Sequence, residues 1–218
     1  VLYSGNNKGM GDYINGGFIL DDDGNNARYN NTGQTYVAWC WKAGGAAVSN
    51  TEGNITSSVS VNDEAGFSIV SYTGNGSNGQ TVGHGLSQAP QWIMLKARDA
   101  TQNWRVWHHK LASDGSKRLL LDADNVSEDA SFLNDTAPTS TVFTLGNADD
   151  AWNANSAKFI AYCWHEVPGY SKFGSYEANG DSNGPYVHCG FRPAWVLIKN
   201  TSLAQPWVLM DNKINPYN

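Results

Sequence analysis

Charge is scarce in this chain. Only 16% of its 218 residues are Asp, Glu, Lys or Arg, against about a quarter in an ordinary soluble domain. Glutamate is confined to Glu52, Glu64, Glu128, Glu166 and Glu177. The charges sum to −6, with a pI near 5.2, and no run of Lys and Arg occurs. A nucleic-acid groove, which needs a basic stripe, is therefore not expected. No stretch approaches the roughly 18 apolar residues of a membrane-spanning helix. Cysteine is sparse as well, at three residues with no C-x-x-C spacing, which gives no support to a zinc or redox motif. An odd, unframed set of thiols also gives no sign of an oxidising compartment. Long helical periodicity is missing; a single helical turn within Asp124–Leu133 is the most that the pattern offers.

What is abundant points the other way. There are 23 Gly, nine Trp and ten Tyr, with Asn, Ser and Thr between short apolar runs. Many turns and many aromatics predict an all-β protein. Alternating or short apolar runs bounded by Gly, Asn and Asp place strands at 17–21, 35–42, 67–73, 80–84, 92–97, 104–108, 117–121, 141–145, 157–164, 173–176, 186–189, 195–199 and 207–211.

The chain also repeats itself. Tyr72, Gly76, Pro90, Trp92, Lys96, Trp104 and Lys110 recur as Tyr176, Gly180, Pro193, Trp195, Lys199, Trp207 and Lys213. The offset stays near 104 residues, a common domain size. Upstream, Phe18, Leu20 and Tyr36–Trp41 match Phe143, Leu145 and Phe159–Trp164. The order is the end of one unit, a whole unit, and the start of another. Residues 1–42 are read as the C-terminal part of a first module, 43–66 as an inter-module linker with a short strand at 55–61, 67–166 as a complete β-sandwich module and 167–218 as the N-terminal part of the next. The Val start and the unit broken at Asn218 lead to the expectation of a piece of a longer polypeptide. Cys40 and Cys163, at matching positions in aromatic runs, are expected to be buried core thiols.

Catalytic motifs are not found: no G-x-S-x-G elbow, P-loop or dinucleotide-binding glycine pattern. Glu166 aligns with Ala43 and Glu177 with Thr73, so no acid–base pair recurs between copies. His108 and His109 are adjacent on a strand, point to opposite faces, and align with Asp211 and Asn212. They read as a strand-end pair. Asp21, Asp23 and Asn25 offer oxygens suited to calcium, but the loop fails the EF-hand template. A solvated turn is the preferred reading and a calcium site the alternative. Aromatic faces are the best candidates for contact with a sugar or a protein partner. Tyr72/Tyr176 and Trp104/Trp207 are repeated and read as core. Trp107 and Trp152 lack aromatic counterparts and are expected to be exposed. The candidate ligand-binding set is Trp107, Trp152, Trp104 and His108.

YVAWCWKAGG, SYTGNGSNGQTVGHGL, NDTAPTSTVFTLG and SKFGSYEANGDSNGPYVHCGFRPAWVLIKN resemble modules of tail-fibre-like and other virion proteins of tailed phages, notably marine and cyanobacterial ones. The resemblance implies tandem antiparallel β-sandwich modules of jelly-roll, concanavalin-like (laminin-G-like) type. It implies a non-enzymatic virion structural protein, placed in a tail fibre or appendage and extracellular when assembled. Its expected partners are further copies of itself, a trimer being favoured, other virion proteins and a host-surface glycan, with neither nucleic acid nor a membrane span. A capsid-decorating protein and a secreted bacterial carbohydrate-binding protein or enzyme are the alternatives.

Overall fold

A computed structural model describes residues 10–20, 30–147 and 149–213. The described residues are all-β, with antiparallel sheets. The chain divides into two compact units, 1–40 and 41–218. In the first, β1 (Met10–Ile14) and β2 (Gly17–Leu20) form a hairpin. Gly16 takes φ +89° in its turn, a conformation that costs other residues more.

The second unit is built on one eight-stranded sheet. Its strands are β3 (Val48–Asn50), β4 (Ser57–Asn62), β5 (Phe67–Thr73), β7 (Trp92–Ala97), β8 (Arg105–His108), β9 (Lys117–Leu120), β10 (Glu128–Asp129) and β12 (Lys158–Trp164), in the order β10-β9-β8-β7-β12-β5-β4-β3. The late strand β12 lies between β5 and β7, bonded to both. Two further antiparallel pairs complete the unit: β6 (Gln80–Gly83) with β11 (Val142–Leu145), distant in sequence, and β13 (Trp195–Ile198) with β14 (Val208–Asp211).

Alternation decides which side chains go where. Odd positions of β12 (Phe159, Ala161, Cys163) join Val59, Val70, Tyr72, Ile93, Leu95 and Trp107 on one face of the sheet. Val82, Phe143 and Leu145 from β6 and β11 close over that face. Most of these residues have no exposure at all, so each large side chain contributes about 1.5–3 kcal/mol of burial. The opposite face gathers Phe67, Trp92, Val106, Leu119 and Trp164, with Phe173, Trp195, Leu197 and Trp207 packed on them. The Trp207 indole donates to the Leu120 carbonyl (2.7 Å), and the Trp92 and Trp164 rings stack at 4.3 Å.

Several expectations change. Residues 43–66 are not a free linker: they supply β3, β4 and a 3-10 turn at Asp63–Ala65. Alternation in Ser57–Val61 turns Val59 into the core, and Ile55 bridges to Val82. Tyr36–Trp41 copies β12 in sequence yet forms no strand, since the two ladders that hold β12 have no counterpart along it. Cys40 is accordingly exposed while Cys163 is buried. Segments 173–176 and 186–189 likewise form no strand, and Tyr176 is 48% exposed where its copy Tyr72 is 4%. The expected helical turn appears as a 3-10 turn at Ser131–Leu133. Strands β1, β3 and β10 were not foreseen.

Candidate functional site

The second face of the sheet is the candidate contact surface, and its composition changes along the strands. Register places Asn62, Phe67, Trp164, Trp92 and His108 in one cross-strand row. The next row is Ser60, Ile69, Tyr162, Met94 and Val106. The third is Ser49, Ser58, Ser71, Ile160 and Lys96. Beyond it, Thr73 pairs with Lys158. The face therefore runs from an indole stack, through a mixed aromatic and aliphatic band, to hydroxyls and cations. The indole end is covered by the β13–β14 pair. Ile69, Ser71, Ile160 and Tyr162 stay half-buried and Ser58 is exposed. Trp104, also half-buried, stacks on Tyr162 with centroids 6.1 Å apart and planes 29° from parallel. A partly wet ring pair beside serine hydroxyls offers both apolar area and hydrogen-bonding groups, which sugar and protein partners use.

Among the residues singled out by sequence, Trp107 and Trp152 are not exposed. They retain 2% and 3% of their accessibility. Trp107 shares the core face with Ile93, its cross-strand partner, because position parity sends it there. Trp152 lies against Phe132 (5.7 Å), donates to the Asn147 carbonyl (3.1 Å), and has the guanidinium groups of Arg105 and Arg118 over its ring at 5.9 and 5.4 Å. Such contacts are cation–π in character. Trp104 sits on the candidate face, where the core reading is only half right. His108 ends β8 on the indole row, next to Phe173 and His109. The structure thus brings Trp104 and His108 to one face and Trp107 and Trp152 to the other side. Asp21, Asp23 and Asn25 lie outside the described residues. Among the described residues no group of three His, Cys, Asp or Glu is placed to hold a metal, and no helix is long and apolar enough to cross a membrane. Sequence reasoning missed Tyr162, Ser58, Ser71, Arg98 and Lys158; the alternation Lys158–Ile160–Tyr162 in β12 was the available signal.

The titratable groups are mostly structural. His108 is pushed down to about 4, first by burial and then by His109 and Lys110, and its Nδ1 accepts the Lys110 N–H (3.1 Å). Burial also lowers His84. Its Nδ1 accepts the Leu86 N–H and its Nε2 lies 3.1 Å from the Thr139 carbonyl, a pattern that suits the neutral ring protonated on Nε2. Arg105 is lowered by burial and then by repulsion from Arg118, which in turn bonds Glu128 (3.2 Å). Glu166 accepts from Lys172 (2.9 Å) and from the Phe173 N–H (3.0 Å). Asn153, fully buried, accepts the Asn75 N–H (3.1 Å) and donates to the Ser77 carbonyl (2.7 Å). It pins the turn in which Gly76 adopts φ +71°.

Comparison with curated proteins and with solved structures gives no match for either. A family model described as a domain of unknown function, DUF7483, matches residues 3–218, and the chain belongs to that family.

Proposed function

We propose that the chain forms tandem antiparallel β-sandwich modules, jelly-roll and concanavalin-like, in a phage virion protein of the tail fibre or tail appendage. Its role is non-catalytic attachment to a host-surface glycan through the wet end of the large sheet. The observation that carries this reading is the half-buried Tyr162–Trp104 ring pair on a partly exposed sheet face that also carries Ser71 one strand from Tyr162 and Ser58 two strands away. The sandwich reading is supported by the closure of β6–β11 over the opposite face. Repetition along a fibre and assembly into a trimer would raise avidity without new contacts. Two of the carboxylates considered for catalysis, Glu166 and Glu128, are engaged structurally in the Glu166–Lys172 and Arg118–Glu128 pairs.

A second reading, a capsid-decorating or shell-stabilising protein, is favoured by a different observation. Tyr176, Tyr186, Val187, Leu203, Val208 and Met210 are all exposed within residues 176–210, more apolar exposure than a stretch of ordinary surface needs, and exposed apolar surface is what protein interfaces use. The intact protein is tested on a glycan array and on candidate host cells, with and without EDTA, and its mass is measured in solution. Saturable glycan binding that Tyr162→Ala abolishes supports attachment. EDTA sensitivity supports calcium at Asp21, Asp23 and Asn25. An oligomer with no glycan binding supports the shell reading instead.

A further inference from the structure

The hydroxyl-and-cation end of the same sheet face is hollowed into an open cavity of about 360 Å³. Ser49, Ser58, Ser71, Thr73, Arg98 and Lys158 line it, and no Asp or Glu does. Strand register explains the grouping. Ser49, Ser58 and Ser71 are direct cross-strand neighbours, Thr73 faces Lys158, and Arg98 donates its N–H to the Lys158 carbonyl (2.8 Å) just past the end of β7. From Ser49 to Arg98 the groove crosses four strand spacings, roughly 19 Å at about 4.8 Å each. That is room for an extended chain of sugars rather than a single ring.

We propose that this groove binds an acidic saccharide, one carrying carboxylate or sulfate groups. The inference rests on the glycan-attachment reading and narrows its ligand. Five other cations of the described fold are occupied; Lys42, Lys110, Arg192 and Lys213 make no side-chain ion pair or hydrogen bond among the described residues, but none of them lines this cavity. The Lys96 ammonium donates to the Gln102 carbonyl, Lys199 donates to three carbonyls, and Arg118, Lys117 and Lys172 each pair with a carboxylate. Arg98 and Lys158 have no side-chain partner among the described residues. The same is true of the Ser49, Ser58 and Thr73 hydroxyls. Of the other hydroxyls at the groove, Ser57 donates to the Gly83 carbonyl (2.8 Å), Tyr72 to the Trp152 carbonyl (2.7 Å) and Ser71 to the Ser58 carbonyl (3.5 Å), while Thr56, like Ser49, has no partner among the described residues. Asp99, next to Arg98 in sequence and not among the lining residues, accepts the Lys158 backbone N–H (3.0 Å). The unspent groups are thus two cations and a row of hydroxyls, which matches an anionic, hydroxyl-bearing ligand. A chain with net charge −6 does not attract polyanions in general, so binding of one requires a local site of this kind.

The intact chain is titrated calorimetrically with a size-defined heparin oligosaccharide and with a neutral dextran oligosaccharide of equal length. Wild type, Arg98→Gln/Lys158→Gln and Tyr162→Ala are compared. Each cation contributes about tenfold in affinity if it makes a charge-assisted hydrogen bond. The expected result is salt-sensitive heparin binding, about a hundredfold weaker in the double variant, whose melting temperature is unchanged because both side chains are exposed. Heparin binding no tighter than dextran binding, or unaltered by the double substitution, overturns the acidic ligand. If dextran still binds and Tyr162→Ala removes it, the acidic ligand fails while glycan attachment stands. If neither saccharide binds, both fail.

Discussion

Replacing Tyr72 and its repeat counterpart Tyr176 by phenylalanine should give opposite outcomes from the same chemical change. Tyr72 keeps 4% of its accessibility and stacks on Phe159 at 5.3 Å. Its hydroxyl donates to the Trp152 carbonyl at 2.7 Å, and burial raises the phenol well above its ordinary pKa. Tyr72→Phe keeps the ring and removes the donor, leaving that carbonyl unpaired in the core. The cost is about 1–3 kcal/mol, or roughly 2–12 °C in melting temperature for a chain of this size. Tyr176 is 48% exposed, so Tyr176→Phe should stay within about 0.5 kcal/mol. Urea unfolding followed by tryptophan fluorescence, with a thermal melt, measures both. Equal effects, or a silent Tyr72→Phe, would refute the claim that completion of the sheet, rather than the repeated sequence, decides which copies form core.

Three further outcomes are expected. Asn153→Leu strands the Asn75 N–H and the Ser77 carbonyl, costing about 2–4 kcal/mol, read as a lowered urea midpoint. Stability should fall as pH drops from 6.5 towards 4, because His108 is held near 4 in the fold against 6.5 unfolded. The unfolded chain binds the extra proton in that window, so the contribution is complete above it and disappears on acidification. It amounts to about 2 kcal/mol after discounting for residual exposure, and His108→Gln should flatten that part of the pH–stability curve. Iodoacetamide should modify Cys40 and Cys189 in the native protein and spare Cys163, whose thiol burial pushes up to about 12; peptide mass analysis reads this out, and native labelling of Cys163 would contradict the packing.

The strands of the complete copy were legible because their signal is local. β5 and β7 fall on their expected bounds, and β12 begins one residue late, since each is a run of alternating or continuous apolar residues between turn formers. Face parity was legible too: Trp104 with Val106, and Trp107 on the other side. What parity alone did not reveal was which face is closed. That depends on β6–β11 packing over Trp107 and on β12 entering between β5 and β7, both long-range choices. The lack of a repeated aromatic at Trp107 and Trp152 therefore suggested exposure where the fold buries both. Tyr36–Trp41 shows the converse, a strand-like sequence that carries no ladder. In the weakly patterned stretch 43–66 the short strand expected at 55–61 is β4, but β3 was hidden because Ser and Thr supply the outward face, and that hydroxyl row is the part of the candidate site that composition made look like linker.

The most direct test sets the two tryptophan-bearing faces against each other in one glycan-binding assay. Trp104→Leu and Tyr162→Leu alter the open face, and Trp107→Phe alters the closed one. The account predicts that the first two weaken binding at least about tenfold, as loss of a stacking contact of about 1.4 kcal/mol requires, measured at a temperature where each variant remains folded because Tyr162 also stacks on Phe67 and Trp164. Trp107→Phe should lower stability and leave affinity intact. Binding lost through Trp107→Phe at full stability, or retained in both open-face variants, would contradict the placement of the contact surface on this side of the sheet.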